Sequence, residues 1–388
     1  MEITPSHPPG WPVFGNIFDL GTIPHQTLYF LRPKYGPVIG LKLGSVNTLV
    51  IQSAKAATEL FKNHDQIWLL LAHDLPPMYG GDHGEQKTQR DGYLRRKCID
   101  NMIQNIEKDV EVARPQGEAG ELDLSHFLFI LAFNVMGNLV LSRDLVDSRS
   151  KEGREFFNAM GKVAEWGGKP NISDFFPVLK WLDPQGIRRN MERDLGIAIK
   201  IISKFVKQRM EEKKLGEEMK TKDFLDALLE YQREGRDCAD KLTEQNVFIL
   251  EMFFAGSETS NSSIEWAMAE LLRHPESMRK AVIKETLRLH PAVPLMLPRN
   301  AMEERNFMGY VIPKDTQIWV NAWAIGRDPD AWEDPFSFKP ERFLSSKIDY
   351  KGQNFELLPF GSGRRICVGL LLADRLVPLR AIPKKHVT

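Results

Sequence analysis

A lone cysteine, Cys367, stands in Phe360-Gly-Ser-Gly-Arg-Arg-Ile-Cys-Val-Gly369, with arginines just upstream and Leu370-Leu-Leu-Ala373 just downstream. With no second cysteine nearby for a disulfide or a zinc cage, such a thiol suits a soft ligand to one metal. Gly363 and Gly369 allow tight turns and a close backbone approach to a flat cofactor. Arg365 suits a bidentate, charge-assisted bond to an acidic group on it. Phe360 can shield the sulfur, and burial is one lever on a thiolate-ligated metal. A buried structural cysteine in a glycine turn is the plainer alternative.

Two further patterns carry chemistry. Ala255-Gly256-Ser-Glu258-Thr259-Ser260 puts small residues inside a helical stretch, where a glycine costs about 1 kcal/mol against alanine. Small residues there permit either a close helix–helix crossing or room for a small ligand. Glu285-Thr-Leu-Arg288 sets a carboxylate and a guanidinium at i, i+3 on one helix face. In isolation that pair is a surface salt bridge worth under about 1 kcal/mol.

Phe360-x-x-Gly363-x-Arg365-x-Cys367-x-Gly369, followed by Ala373, resembles the haem-thiolate loop of the cytochrome P-450 monooxygenases. The resemblance implies a mainly α fold with a small β-rich lobe at the N-terminal side. It places haem b between a long central helix and the cysteine loop, with Cys367 as axial ligand of the iron. The hexapeptide Ala255–Ser260 resembles the family's oxygen-activation segment. Ala255 and Gly256 then make room for dioxygen, Thr259 hydrogen-bonds the activated oxygen, and Glu258 relays protons from solvent. Both roles suit the side chains, since a hydroxyl donates and accepts while a carboxylate replenishes. Glu285, Arg288 and Arg342 of Pro340-Glu-Arg-Phe343 resemble the family's Glu-Arg-Arg triad, which locks the loop carrying the cysteine. Arg299, in Pro298-Arg299, falls where family members place an arginine on a haem propionate.

The implied activity is hydroxylation of a small lipophilic molecule, using O2 and NADPH-derived electrons from NADPH-cytochrome P-450 reductase. Glu285–Pro294 and Asp315–Pro329 look most like plant enzymes of the geraniol 8-hydroxylase type, so a terpenoid is the expected substrate. A haem-thiolate isomerase or dehydratase, and a shortened member that binds haem poorly, are the alternatives. Thr259 speaks against the isomerase.

These groups need elements to position them. Leu242 to His274 reads as one helix, roughly 48 Å long, with Thr243 as N-cap and Arg273 and His274 in its last turn. A shorter helix over 281–291 carries Glu285 and Arg288. Val38 to Ile51 alternates like a β-hairpin turning around Gly44-Ser-Val-Asn47. Helical periodicity covers Lys55–Lys62, Arg95–Val112, Leu124–Val140, Gly153–Ala164, Arg188–Lys214 and Lys222–Tyr231. Asn171 to Asp183 reads as an aromatic loop. The whole, 1–388, reads as a single domain, opening with a proline-rich hinge over 1–16.

Composition narrows the classes. Lys plus Arg and Asp plus Glu are 52 each, so no basic bias points to nucleic acid. Three widely spaced cysteines argue against a disulfide framework, and Cys98 and Cys238 read as inert. The longest unbroken apolar run, Phe127–Phe133, is far short of the ~20 residues of a membrane helix, so no span is expected. Microsomal members carry an anchor helix before a similar hinge, so the resemblance implies the cytoplasmic face of the endoplasmic reticulum membrane. The resemblance is dense from about Leu242 to Ala373 and breaks elsewhere. No anchor precedes the hinge. No Trp-x-x-x-Arg pair for haem propionates occurs between Asp65 and Arg95, Arg279-Lys280 runs straight into Ala281, and Pro378 cuts the helix after Cys367.

Overall fold

Residues 38–51 pair as their alternation predicts. β1 (Val38–Leu43) and β2 (Val46–Ile51) run antiparallel with Leu43 opposite Val46, joined by Gly44-Ser45. Gly44 has φ +58°, and a Cβ there would meet the Phe175 carbonyl at 2.7 Å, so only glycine fits this turn. The period of two sends Ile39, Leu41, Leu43 and Val50 into one cluster with Leu28 of α1 (Pro24–Tyr35). It sends Val38, Leu49 and Ile51 into another, with Leu60 and Phe61 of α2 (Ala54–Asn63). Both faces of the sheet are thereby buried.

The computed structural model describes residues 5–64, 68–69, 84–113, 123–146, 150–214, 241–274, 279–367 and 369–370. They group into two units: one holds 1–73, 174–177 and 266–388, the other 74–173 and 178–265. Lys222–Tyr231, Cys238 and Leu371–Ala373 lie outside the described residues.

The first unit completes the hairpin with later chain. Its other strands are β3 (Trp68–Leu69), β4 (Arg299–Ala301), β5 (Arg305–Phe307), β6 (Tyr310–Ile312) and β7 (Gln317–Val320). The main sheet has the order β1-β2-β7-β4-β3, with β2 and β7 parallel and Thr48 opposite Gln317; β5 and β6 form a separate pair. This is the small β-rich lobe expected on the N-terminal side. Its later strands, of two to four residues, carry too short an alternation to be read one by one.

The second unit is helical. α3 (Gly84–Ala113) starts earlier than the expected Arg95, through a stretch that reads as polar and glycine-rich. α4 (Leu124–Leu141) is apolar on every side, and Asp123 caps it by accepting from the His126 N–H. It is long and apolar enough by composition to cross a membrane, which overturns the expectation that no segment is. His126, Asn134 and Asn138 interrupt its apolar run without breaking its average, and 72% of it is buried inside the protein. α5 (Lys151–Gly168) packs on α7 (Ile187–Lys214), tied by Trp166 Nε1 donating to Asp194 at 2.9 Å. Between them the expected loop contains a one-turn helix, α6 (Ile172–Phe175), and a 3-10 turn at Pro177–Leu179.

α8 (Lys241–Arg273) runs out of the second unit into the first at Trp266. Thr243 lies inside this helix, because Lys241 and Leu242 are already helical, so it is not the cap. In the first unit follow α9 (Arg279–Leu289), set slightly earlier than the expected 281–291, and α10 (Ala322–Ile325), capped by Asn321 accepting from Ala324 N–H.

Candidate functional site

Glu285 and Arg288 sit one turn apart on α9, and both side chains have no exposed surface. Arg288 Nε and Nη2 donate to the two Glu285 oxygens at 2.7 Å each, the bidentate geometry that i, i+3 spacing allows. Its remaining donors reach the carbonyls of Gly326 (2.5 Å), Pro335 (2.7 Å) and Ser337 (3.1 Å). Arg342 comes from a 3-10 turn, Pro340–Phe343, and its Nε reaches Glu285 Oε1 at 3.1 Å. The Lys339 backbone N–H adds a further bond to the same oxygen at 2.8 Å. The structure thus brings all three predicted residues together. It also replaces the surface-pair reading with a buried cluster, which is a different energetic case.

Trp332 and Arg327 belong to this cluster; their segments, Trp332–Phe338 and Trp323–Pro329, resemble the family's stretch leading to the triad's last arginine, which implies a structural role but gives neither residue one of its own. Both triad guanidiniums lie over the Trp332 ring, at 5.2 and 5.9 Å from its centroid. Arg327 is buried, donates to the Leu289 carbonyl at 2.7 Å and stacks 3.8 Å over Trp323. Burial, with the nearby Arg288 charge, pulls its pKa down to about 10. An arginine inside the apolar run Trp323-Ala-Ile-Gly-Arg327 was the available signal.

Apolar packing links the cluster to the cysteine loop. Ala281 and Leu287 of α9 pack with Trp332, Phe343, Tyr350 and Leu357, and Phe360 and Leu370 rest against that core. The loop itself is held by short-range bonds. Cys367 N–H donates to the Phe360 carbonyl at 2.9 Å, and Ser362 Oγ donates to Gly352 O at 2.6 Å. Gly363, with φ +76°, opens a 3-10 turn ending at Arg365. Phe360 meets Tyr350 at 5.7 Å, so its ring belongs to this core as well as to the loop.

The sulfur has the surroundings of a ligand. Cys367 is exposed by surface area, while the loop backbone crowds the other side of its thiol. That crowding raises its pKa, and the nearby N–H groups of Gly369 and Leu370 act the other way, the latter donating to the Cys367 carbonyl at 3.1 Å. A Cβ on Gly369 would lie 3.5 Å from the sulfur, so the backbone passes in contact with it. Among the described residues no group of three His, Cys, Asp or Glu is placed to hold a metal. Cys367 is a single soft donor in this loop, and one thiolate fits a metal that brings most of its own ligands, as in a macrocycle. Arg299 is buried on β4, 4.7 Å over the Phe61 ring. Cys98 is buried against Asp144, and burial lifts its thiol to about 12, so it stays protonated and unreactive.

On α8 the second group of residues spreads around the helix. Thr259 Oγ1 donates to the Ala255 carbonyl one turn back, at 2.6 Å, and Ala255 is exposed. A Cβ on Gly256 would come within 2.6 Å of Met136 Sδ on α4, so the glycine serves a helix crossing inside the second unit. Rings follow the same crossing, with Phe133 of α4 4.9 Å from Phe253. Glu258 is half-buried, and burial, then the charge of Glu265, raises its pKa. Asn261 is buried, which removes it as a glycosylation acceptor.

The family model described as Cytochrome P450 matches residues 5–68, 92–281 and 278–377. The chain is 49% identical to an iridoid oxidase of Catharanthus roseus, covering 97% of this chain and 83% of that protein. It is 35% identical to a geraniol 8-hydroxylase of Swertia mussotii, covering 97% and 84%. A solved zebrafish cytochrome P450 structure with progesterone shares the fold at a TM-score of 0.67 and 23% identity, over 91% of this chain and 89% of that one. The family match divides at 68–92 and again at 278–281, where the sequence reading found segments missing. The alignment to the iridoid oxidase spans 429 positions against 388 residues here, so that relative has internal residues without counterparts.

Proposed function

The chain belongs to the cytochrome P450 family, and on that premise we propose that it hydroxylates a small terpenoid at the cytoplasmic face of the endoplasmic reticulum membrane. As a family member it is a haem-dependent monooxygenase, using O2 and NADPH-derived electrons that a reductase delivers. The observation that carries the substrate class is the 49% identity to an iridoid oxidase, with geraniol 8-hydroxylases at 35%. A substrate of iridoid type therefore stands ahead of geraniol. NADPH-cytochrome P450 reductase is the proposed electron donor.

When bound, haem would supply oxygen activation, and a thiolate donor would add electron density to its iron. The proposed roles of this chain's residues follow from their chemistry. Cys367 provides the sulfur, while the N–H groups of Gly369 and Leu370 stabilise its thiolate form. Arg365 and Arg299 would neutralise acidic groups of the cofactor, and Phe360, Gly363 and Gly369 shape the loop around it. Glu285, holding Arg288 and Arg342, keeps Trp332 and Leu287 under that loop. Ala255 and Gly256 keep bulk off the helix. Glu258 holds a proton within one residue of the Thr259 hydroxyl, which passes it on.

The test is the protein expressed with haem and assayed with plant reductase, NADPH, geraniol and an iridoid alcohol. The carbon monoxide complex of the reduced protein should show the red-shifted Soret band of thiolate ligation, lost in Cys367→Ala. Hydroxylated product should appear only with NADPH and O2. A band without NADPH-dependent turnover would move the reading to an isomerase or dehydratase. The missing internal segments favour one other reading, a member that holds haem weakly; absence of the band when haem is supplied would establish it.

A further inference from the structure

Arg327 is a buried cation that two histidines approach from different elements. Its guanidinium stacks 3.8 Å over the Trp323 ring and Nη2 donates to the Leu289 carbonyl at 2.7 Å, while Nε has no partner among the described residues. The ring of His25, on α1, lies 5.3 Å from that same Trp323 ring. His290 follows the Leu289 carbonyl directly, just past the end of α9. Burial, then the Arg327 charge, lowers the pKa of His25. For His290 burial is again the largest cause; Glu270 opposes it, and Arg327 and Arg273 add to it.

The groups around the two rings bring three helices to one place. His290 Nε2 meets Glu270 Oε1 at 3.1 Å, and its ring stacks on Trp266, 3.8 Å between centroids and 5° from parallel. Both partners belong to the last turns of α8. Glu270 is buried, with Arg273 and His274 of the same helix end at 3.9 and 4.0 Å, so its charge is shared. On α1, Arg32 pairs with Asp328 at 2.7 Å and the Tyr29 hydroxyl donates to the Arg327 carbonyl at 3.4 Å. A neutral imidazole packs beside a guanidinium at little cost. An imidazolium there adds a like charge where water screens poorly.

We propose that Arg327, His25 and His290 form an acid-released clasp, which joins α1, the end of α8 and α9 while both rings are neutral and loosens when they take up protons. Both folded-state pKa values lie below the ordinary 6.5, so the contribution is complete above that value and is lost as pH falls through the lowered ones. The protons come from bulk water, and no bond other than N–H forms. The helix so released carries Glu285 and Arg288. The clasp requires nothing of the proposed activity, so its failure would leave that reading intact.

Urea unfolding of the holoenzyme tests it. The midpoint should fall as pH drops from about 7.5 to about 5.5. His290→Gln, which keeps an N–H for Glu270, should remove part of that fall, and adding His25→Gln should remove more. A double variant as acid-sensitive as wild type overturns the proposal. Glu270→Gln takes away the carboxylate that favours the charged ring, so the fall should deepen; an equal or shallower one overturns the role of His290. Should these variants fail to fold, histidine nitrogen NMR of the wild-type protein, in its reduced carbon monoxide complex, decides. At least two of the nine rings should stay neutral at about pH 6, and fewer overturn the clasp.

Discussion

Two buried polar regions of this chain obey opposite rules. The Glu285–Arg288 pair has every donor and acceptor matched, with two guanidiniums, a backbone N–H and three carbonyls closing on it, although Arg327 Nε and Trp332 Nε1 nearby lack partners among the described residues. Along α8, Ser257, Asn261 and Glu265 each keep a buried atom that is unmatched among the described residues. A saturated network in low dielectric has one arrangement and holds its neighbours still. An unsaturated row has no such single arrangement. The first packs beneath the cysteine loop, where a fixed arrangement suits the proposed ligand Cys367, and the second runs along α8 past Glu258.

Breaking the saturated region should have the largest effect. Glu285→Gln leaves Arg288 buried without its charge partner, and a loss of about 3–5 kcal/mol is expected. Urea unfolding should show an earlier midpoint, and the red-shifted Soret band should weaken as the loop of Cys367 loosens. Arg342→Ala should cost less, about 1–3 kcal/mol, because Arg288 and the Lys339 N–H still hold Glu285. Arg342→Lys should recover little of that, since an ammonium cannot reproduce the fork that also reaches the Glu333 carbonyl. A double-mutant cycle between Glu285 and Arg342 would read the coupling directly.

The α8 side should respond more gently and with pH. Burial and Glu265 raise the Glu258 pKa above its ordinary 4.5, so the folded state favours the protonated form. That contribution is complete below the ordinary value and is lost as pH rises through the raised one. Glu258→Gln should remove this part of the decline, and a series of melting temperatures across pH checks it; an unchanged slope would contradict the assignment. The smallest effect should come from Gly256→Ala. Its Cβ meets only the flexible end of Met136, and alanine's better helix propensity offsets the crowding, so stability should stay within about 1 kcal/mol. A larger loss would mean that the α4–α8 crossing is as tightly set as the triad.

Much of the site was legible because it depends on local spacing. Glu285 and Arg288 had to share a face once their stretch was helical, and the glycines around Cys367 announced a turn. The expectation of no span rested on unbroken apolar runs, and α4 reaches the length and average composition of one while most of it is buried inside the protein. Counting unbroken apolar residues in α4 ignored how its few polar side chains pack, as when Asn134 Oδ1 accepts from Leu145 and Val146 N–H. The individual contacts of Arg327 and Trp332 were not legible, because their partners, Leu289 and the triad, lie many residues away.

By itself the sequence determined the soft sulfur, the helix-face pairings and the alternation of the hairpin, since each follows from backbone geometry over a few residues. Tertiary structure decided that the Glu285 pair is enclosed, that Gly256 faces Met136, and that Ser257 and Asn261 are shut from water. Burial is set by chain segments far away in sequence. It is burial that turns an exposed ion pair into a lock, and leaves a row of ordinary polar residues on α8 with unmatched atoms among the described residues.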